Sequence, residues 1–236
     1  LFTNSVLRLS VLIPIVGSHL WFTLYVGRFW QSTLGDAPDI LAPFWLIALS
    51  YGIVFFVLED LSRFLLHRVM HRSNALWRIH RVHHRATVLT PLTLFRVHPA
   101  ESLLYFFRQM SVFGFVSGTF IWIFGARLTA WDVLGVDALG FLFNAFGANL
   151  RHSHVWFSFG PLEKLFISPA QHQLHHSKSH GHPNYGAALS IWDRMAKTNM
   201  YAEKYSKLEF GLNEEVKNKR MGWSFFKVIT FFTSKA

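Results

Sequence analysis

Residues 67–84 have the sequence HRVMHRSNALWRIHRVHH, and this segment constrains the structure of the chain more than any other. Together with HQLHH at 172–176, it contains three histidine clusters: His67-x3-His71, His80-x2-His83-His84 and His172-x2-His175-His176. Residues three or four positions apart on a helix share one face, so each cluster is predicted to project its imidazoles in one direction. Neutral imidazole is a good ligand for iron, zinc, copper and nickel. The three clusters together predict a multinuclear metal site.

The number of histidines indicates more than one metal ion, because tetrahedral sites use four ligands and octahedral sites six. His152 and His154 are two positions apart and would not share a helix face, so we expect one direct ligand there, His152. Further candidate ligands are His98, His154, His180 and His182. Asp60 lies two helical turns before His67 and is a candidate hydrogen-bond partner of a ligand imidazole. The chain has no cysteine, which excludes thiolate ligands and disulfides within it.

The composition indicates an integral membrane protein. The 236 residues are 51% hydrophobic and include 25 Phe, and the mean hydropathy is +0.26. A membrane-spanning helix needs roughly 20 mostly apolar residues. Four segments approach this length: 6–26, 40–58, 103–124 and 128–150. We predict a single all-α membrane domain over residues 1–236, a bundle of about four transmembrane helices with a cytoplasmic helical cap that carries the histidine clusters.

The predicted topology places the three clusters on one side of the membrane. Segments 103–124 and 128–150 form an antiparallel hairpin, which returns the third cluster to the side of the first two. Of 23 Lys and Arg, Arg28 and Arg127 alone fall on the opposite side, and positive charge favours the cytoplasmic side. We therefore expect the histidines and both termini in the cytoplasm, at a bacterial inner membrane or the endoplasmic reticulum. No cleavable signal peptide is expected, and the same charge distribution argues against nucleic-acid binding.

Outside the spans, the sequence predicts short helices and loops. Ser73 is a good N-cap for a helix over 74–85, and Pro91 ends any continuation. Ser168 followed by Pro169 is typical of a helix start. A turn, a solvated polar segment and an interfacial segment are predicted at 181–186, 202–220 and 222–236.

Several familiar catalytic patterns are absent from the sequence. The chain contains no H-E-x-x-H, no E-x-x-H, no glycine-rich phosphate loop and no G-x-S-x-G. A metal site in this chain is therefore expected to be dominated by histidine.

The order and surroundings of the clusters resemble the fatty acid hydroxylase / sterol desaturase superfamily. The resemblance rests on FLLHR at 64–68, LWRIH at 76–80, RVHPAE at 96–101, NYG at 184–186 and WD at 192–193, and it covers roughly residues 46–198. Two positions depart from the family pattern near the histidine clusters, and the usual Phe-Gly-Thr after Trp-Asp is weakened to Ala196-Lys197-Thr198. His154 stands where the family often has Asn after His-Ser, and His182 stands where it often has an acidic residue.

The resemblance implies a membrane-bound non-haem di-iron enzyme that uses O₂ and two external electrons. Its reaction would hydroxylate or desaturate a C–H bond of a lipid such as a sterol, fatty acyl or sphingolipid chain. The resemblance carries the ligand role onto His67, His71, His80, His83, His84, His172, His175 and His176. It also marks Asn184 and Asp193 as candidate supports of the site. A separate cytochrome b5 or ferredoxin with its reductase would supply the electrons, docking on the basic cytoplasmic face.

Three alternatives stay open at this point. Ether-lipid cleavage by a pterin-dependent relative is less favoured, because residues 96–101 are more similar to the sterol desaturase branch. A histidine-rich metal transporter would place its ligands within the spans, whereas nearly all the histidines lie at span ends or outside. A zinc-dependent membrane hydrolase needs an open metal position and a Glu base, for which Glu59 and Glu101 are the candidates.

Overall fold

The computed structural model describes residues 12–37, 39–125, 147, 149–202 and 207–212. These residues form helices and loops with two isolated β-bridges, and they contain no strand. The α-helices are α1 (Leu12–Leu34), α2 (Phe44–Arg72), α3 (Asn74–His84), α4 (Pro99–Phe124), α5 (Pro169–His176) and α6 (Ile191–Met195). Two 3₁₀ helices span Pro91–Phe95 and Gly160–Lys164. The all-α prediction is confirmed for the described residues.

The chain divides into two compact units. The apolar unit comprises the described residues of 2–62 and 103–144, and the histidine unit comprises those of 63–102 and 145–236. Two long helices, α2 and α4, contribute residues to both units.

In the apolar unit, α2 and α4 pack around the buried residues Ile47, Tyr51, Phe55 and Val116, and α1 packs against α4. A Cβ atom at Gly118 would lie 2.5 Å from the carbonyl oxygen of Thr23. Glycine therefore permits α1 and α4 to approach closely. Helix α1 continues to Leu34, beyond the predicted end of the span at residue 26. In this last part of α1, Trp30 Nε1 donates a hydrogen bond to Thr119 Oγ1 of α4 at 2.9 Å.

One charged pair lies within the apolar unit. Arg108 binds both carboxylate oxygens of Glu59, at 2.7 and 2.8 Å, and also donates to Ser62 Oγ at 2.7 Å. Such a two-pronged contact fixes the geometry of a guanidinium and a carboxylate and satisfies both charges.

Among the described residues, one helix, α2, is long and apolar enough to cross a membrane. It has 29 residues, and an 18-residue stretch of it has a mean hydropathy of 1.8. It runs without a break through His71, as predicted. Helix α4 covers the predicted span 103–124 and begins four residues before it. Most of the predicted span 128–150 lies outside the described residues, and the number of spans stays a prediction.

Two predicted helix starts in the histidine unit are confirmed. Ser73 Oγ accepts from the backbone N–H of Leu76 at the start of α3. Ser168 caps α5 through the N–H of Gln171 at 3.1 Å, and the Gln171 side chain accepts from the Ser168 N–H at 3.0 Å. This reciprocal capping box fixes where α5 begins. Most of the predicted segments 202–220 and 222–236 lies outside the described residues.

Candidate metal centre

Nine histidines of the histidine unit converge in two groups. The first group contains His67, His71, His80, His84 and His175, and the second contains His83, His152, His172 and His176. In each group, one ring nitrogen per residue lies within 4.8 Å of every other. Eight of these residues are buried and His67 is half-buried.

Helices α3 and α5 each supply both groups. His80 and His84, four positions apart, enter the first group, whereas His83 enters the second. Helix α5 has the reverse arrangement, in which His172 and His176 enter the second group and His175 the first. Neighbouring positions on a helix do not face the same way, so adjacent histidines diverge. The i, i+4 histidines of each cluster therefore point in one direction, as predicted. In the two clusters with three histidines, the third one, His83 or His175, belongs to the other group.

The nitrogen separations in the second group fit a shared cation. His152 Nε2 lies 3.1 Å from His83 Nε2 and 3.0 Å from His172 Nε2, and His176 Nε2 lies 3.2 Å from His172 Nε2. A metal ion with bonds of roughly 2.0–2.1 Å to imidazole nitrogen brings neighbouring ligand atoms to about 3.0–3.4 Å. Two N–H groups cannot be directed at each other, so four converging Nε2 atoms suit a cation better than a chain of hydrogen bonds.

The first group shows the same spacing at one edge, where His80 Nε2 and His84 Nε2 are 3.3 Å apart. The two groups are adjacent, because the rings of His84 and His176 stack with centroids 4.4 Å apart.

Burial keeps the imidazoles neutral. It lowers the pKa of His83 to about 4 and, together with the neighbouring imidazoles, lowers the pKa of His84 and His176 well below the ordinary value. A neutral ring has a free lone pair, which is the form that binds a metal. The net effect of this environment is to disfavour a proton on these rings.

Three rings of the first group are oriented through Nδ1. His67 Nδ1 donates to the carbonyl oxygen of Tyr185 at 2.8 Å, and His175 Nδ1 donates to that of Pro183 at 2.7 Å. A carbonyl oxygen only accepts, so the proton must be on Nδ1 and the lone pair on Nε2. This is the arrangement that metal-binding histidines usually have.

His80 has a carboxylate in the same role. Its Nδ1 lies 2.9 Å from Glu101 Oε1, and both side chains are buried. Burial raises the pKa of Glu101 to about 8, and a cation bound beyond His80 would favour the charged carboxylate again. From the sequence, Glu101 is a candidate base of a hydrolase, and its place in RVHPAE at 96–101 is the pattern that links it to the histidine clusters.

A short loop places the two anchoring carbonyls. Asp193 accepts from the N–H groups of Tyr185 and Gly186, at 2.8 and 2.6 Å. Asn184 is fully buried, has φ 60 and joins the loop to Met200 through both of its amide atoms. The predicted supports Asn184 and Asp193 therefore act on the loop backbone and do not enter either histidine group.

Glu163 is a second carboxylate whose role the sequence did not reveal. It is buried and accepts from Ser158, from the α5 cap Ser168 and from the backbone N–H of Ala202. A negative charge at a helix N-terminus is favourable. Glu163 thereby stabilises the start of the helix that carries His172, His175 and His176.

The remaining candidates lie outside the two groups. His154 is exposed, and His98 is exposed with its Nδ1 accepting from the N–H of Ala100 at the start of α4. His180 is half-buried and contacts Ser177 and Ser179. Asp60 is buried and belongs to the apolar unit. His182 is half-buried beside the first group.

The chain belongs to the fatty acid hydroxylase family, whose model matches residues 52–198. This match confirms the resemblance that the histidine clusters indicated. No solved structure matches the chain significantly.

Three relatives of the chain are named as hydroxylases or monooxygenases. The chain is 29% identical to the ornithine lipid hydroxylase of Rhizobium tropici over 163 residues, 68% of this chain and 45% of that protein. It is 26% identical to human alkylglycerol monooxygenase over 159 residues, 66% of this chain and 32% of that protein. It is 25% identical to methylsterol monooxygenase 1 of Rattus norvegicus over 176 residues, 70% of this chain and 53% of that protein. The chain thus spans between about a third and about half of these relatives.

Proposed function

We propose that the chain is a membrane-bound non-haem di-iron oxygenase that hydroxylates a C–H bond of a membrane lipid. The observation that carries this proposal is the convergence of nine buried or half-buried histidines in two adjacent groups. The first group would hold one iron ion and the second group the other. Family membership supports the assignment.

The donor set suits this pair of ions. Imidazole nitrogen binds Fe(II), and the described residues offer no thiolate and no carboxylate inside either group. When bound, the iron ions supply the activation of O₂, which side chains alone do not provide. The nine histidines would hold the ions, and Tyr185, Pro183 and Glu101 orient the rings of His67, His175 and His80.

The overall reaction would consume one C–H bond, one O₂, two electrons and two protons, and would yield an alcohol and water. Hydroxylation is favoured over desaturation because the named relatives are hydroxylases and monooxygenases. The electrons would come from a separate protein such as cytochrome b5 or a ferredoxin. An acidic surface on that protein would complement the basic cytoplasmic residues.

We propose that four helices cross the membrane and that the histidine unit lies on the cytoplasmic side. The apolar α2 supports at least one crossing, and the distribution of Lys and Arg supports the orientation. Large apolar side chains are exposed along α1 and α2, among them Trp21, Leu24, Phe44 and Trp45. Such a surface suits contact with lipid tails better than contact with water.

A lipid substrate is proposed because each of the three relatives is named for a lipid on which it acts. Oxidation of an alkyl ether lipid is a second candidate, favoured by the alkylglycerol monooxygenases of human and zebrafish. The hydrolase alternative is weaker, because Glu59 is paired with Arg108 and Glu101 with His80. A transporter is also weaker, because both histidine groups lie in the histidine unit.

Lipid analysis of cells that express the chain tests the proposal. The full chain and its His176→Ala variant would be expressed with a ferredoxin reductase system under isotope-labelled O₂. We expect lipids that carry one labelled oxygen atom in cells with the wild-type chain and none with the variant. Oxygen that derives from water, or equal lipid profiles in the two strains, would overturn the proposal.

A further inference from the structure

His182 lies beside the first histidine group without belonging to it. Its ring centroid is 4.9 Å from that of His71 and 4.8 Å from that of His84, but 5.8 Å from that of His175. The ring is half-buried, whereas His71 and His84 are buried. His182 therefore sits over the His71–His84 edge, on a side that solvent reaches.

The ring of His182 makes the same kind of hydrogen bond, from Nδ1 to a backbone carbonyl oxygen, as two rings of the first group. Its Nδ1 donates to the carbonyl oxygen of His175 at 3.0 Å, as His67 and His175 donate from Nδ1 to Tyr185 and Pro183. The bond to a carbonyl places the proton on Nδ1 and leaves the lone pair on Nε2. Among the described residues, Nε2 of His182 has no hydrogen-bond partner. This is the tautomer of a metal ligand.

The backbone at His182 is held in an unfavourable conformation. His182 has φ 58 and Asn184 has φ 60, on either side of Pro183. A left-handed conformation is unfavourable for a residue with a side chain and persists where the surrounding structure imposes it. Here the same short turn directs the Pro183 carbonyl at His175 and the His182 ring at His71 and His84. The strain thus coincides with contacts to the first group.

We infer that His182 is an additional ligand of the metal ion held by the first group, binding through Nε2 and closing the solvent-facing side of that site. This inference rests on the proposed function, because it presumes an ion in the first group. His182 adds an imidazole at a position where the family often has an acidic residue. The competing explanation is packing, since the ring also lies 5.4 Å from Trp77.

The test measures release of cobalt from the detergent-purified full chain, because Co(II) has visible bands that report on its ligands. Wild-type protein loaded with Co(II) is mixed with excess EDTA, and we expect separate release of the two ions. In His182→Ala, release from the first group should accelerate at least about tenfold, the lower end of the effect of losing a partner of a metal ligand. Release from the second group should not change. The visible bands of the first-group ion should shift, and free imidazole should restore the slow rate.

His180→Ala is the matched control, because His180 lies in the same turn and is half-buried but contacts Ser177 and Ser179. It should release both ions at the wild-type rate. His182→Gln, which preserves most of the side-chain volume, should behave like His182→Ala if ligation matters and like wild type if packing matters.

Unchanged release and unchanged bands in both His182 variants would overturn the inference. Equal acceleration of both ions with loss of helical signal would also overturn it, because that result describes general destabilisation. Wild-type protein that retains no metal under any loading condition would instead remove the proposed function, and the inference with it.

Discussion

Helices α3 and α5 supply both histidine groups, but the two groups are held in different ways. In the first group, Nδ1 atoms of three rings are anchored by the carbonyls of Tyr185 and Pro183 and by the carboxylate of Glu101. In the second group, three pairs of Nε2 atoms lie 3.0–3.2 Å apart; His152 pairs with His83 and with His172, which are distant in sequence, and His172 pairs with His176 on α5. His172 Nδ1 has no hydrogen-bond partner among the described residues. The three anchored rings of the first group depend on residues outside it, and changes at Glu101 or in the 183–186 loop should affect the first group more than the second.

The largest effect is expected from neighbouring residues that belong to different groups. His175→Ala and His176→Ala each remove one imidazole, from the first and the second group respectively. Both variants should lose the hydroxylated lipid product, because the proposed reaction needs both ions. Lipid mass spectra check this outcome. The exposed His154 provides the control, since His154→Ala should keep the product. Full product from either ligand variant would show that one group is dispensable.

A change at Glu101 should distinguish the groups without removing a ligand. Glu101→Gln keeps the shape of the side chain but replaces the carboxylate that orients His80. Loss of such a partner typically lowers metal affinity 10–100-fold, so we expect about that loss for the first-group ion. Affinity at the second group should stay at the wild-type value. Competition with a fluorescent chelator measures both affinities, and equal weakening at the two sites would contradict the difference between the groups.

The loop that anchors His67 and His175 should tolerate little change at Gly186. A Cβ atom there would lie 2.5 Å from the carbonyl oxygen of Leu189 and 3.0 Å from Asp193 Oδ2. Gly186→Ala should therefore displace the loop, at a cost on the order of 1–3 kcal/mol, the usual range for overpacking. A lower Tm and faster release of the first-group ion are the expected observations. Gly17→Ala is the matched control, because a Cβ there meets no atom within 4 Å; a Tm equal to that of the control would refute the clash.

The smallest effect is expected at His98, which the sequence offered as a candidate ligand. Its Nδ1 accepts from the Ala100 N–H at the start of α4. His98→Ala should cost about 0.5–1 kcal/mol of stability, as loss of a helix cap does, and should leave metal content unchanged. Thermal unfolding and elemental analysis of the same sample measure the two quantities. Loss of metal would show that His98 supports the site in another way.

Residue spacing in the sequence predicts the local features of this protein well, but it does not predict the contacts between residues that are distant in sequence. The spacing of the clusters identified the histidines that converge, and Ser73 and Ser168 marked helix starts that the structure confirms. His83 and His84 enter different groups because of how α5 is placed relative to α3. A local sequence pattern does not predict that placement. Glu101 and Glu163 were missed as supports because their partners are fixed by tertiary packing. His80 lies 21 positions from Glu101.

The metal content of the purified chain tests the central claim most directly. Iron would be measured by elemental analysis in the detergent-purified wild-type chain, in His175→Ala, in His176→Ala and in the double variant, after iron reconstitution. We expect about two iron ions per wild-type chain, since each group offers a full set of imidazole donors. Each single variant should retain about one ion and the double variant close to none. Wild-type protein that is folded but holds no metal, or that loses both ions through either single change, would contradict two separately held ions.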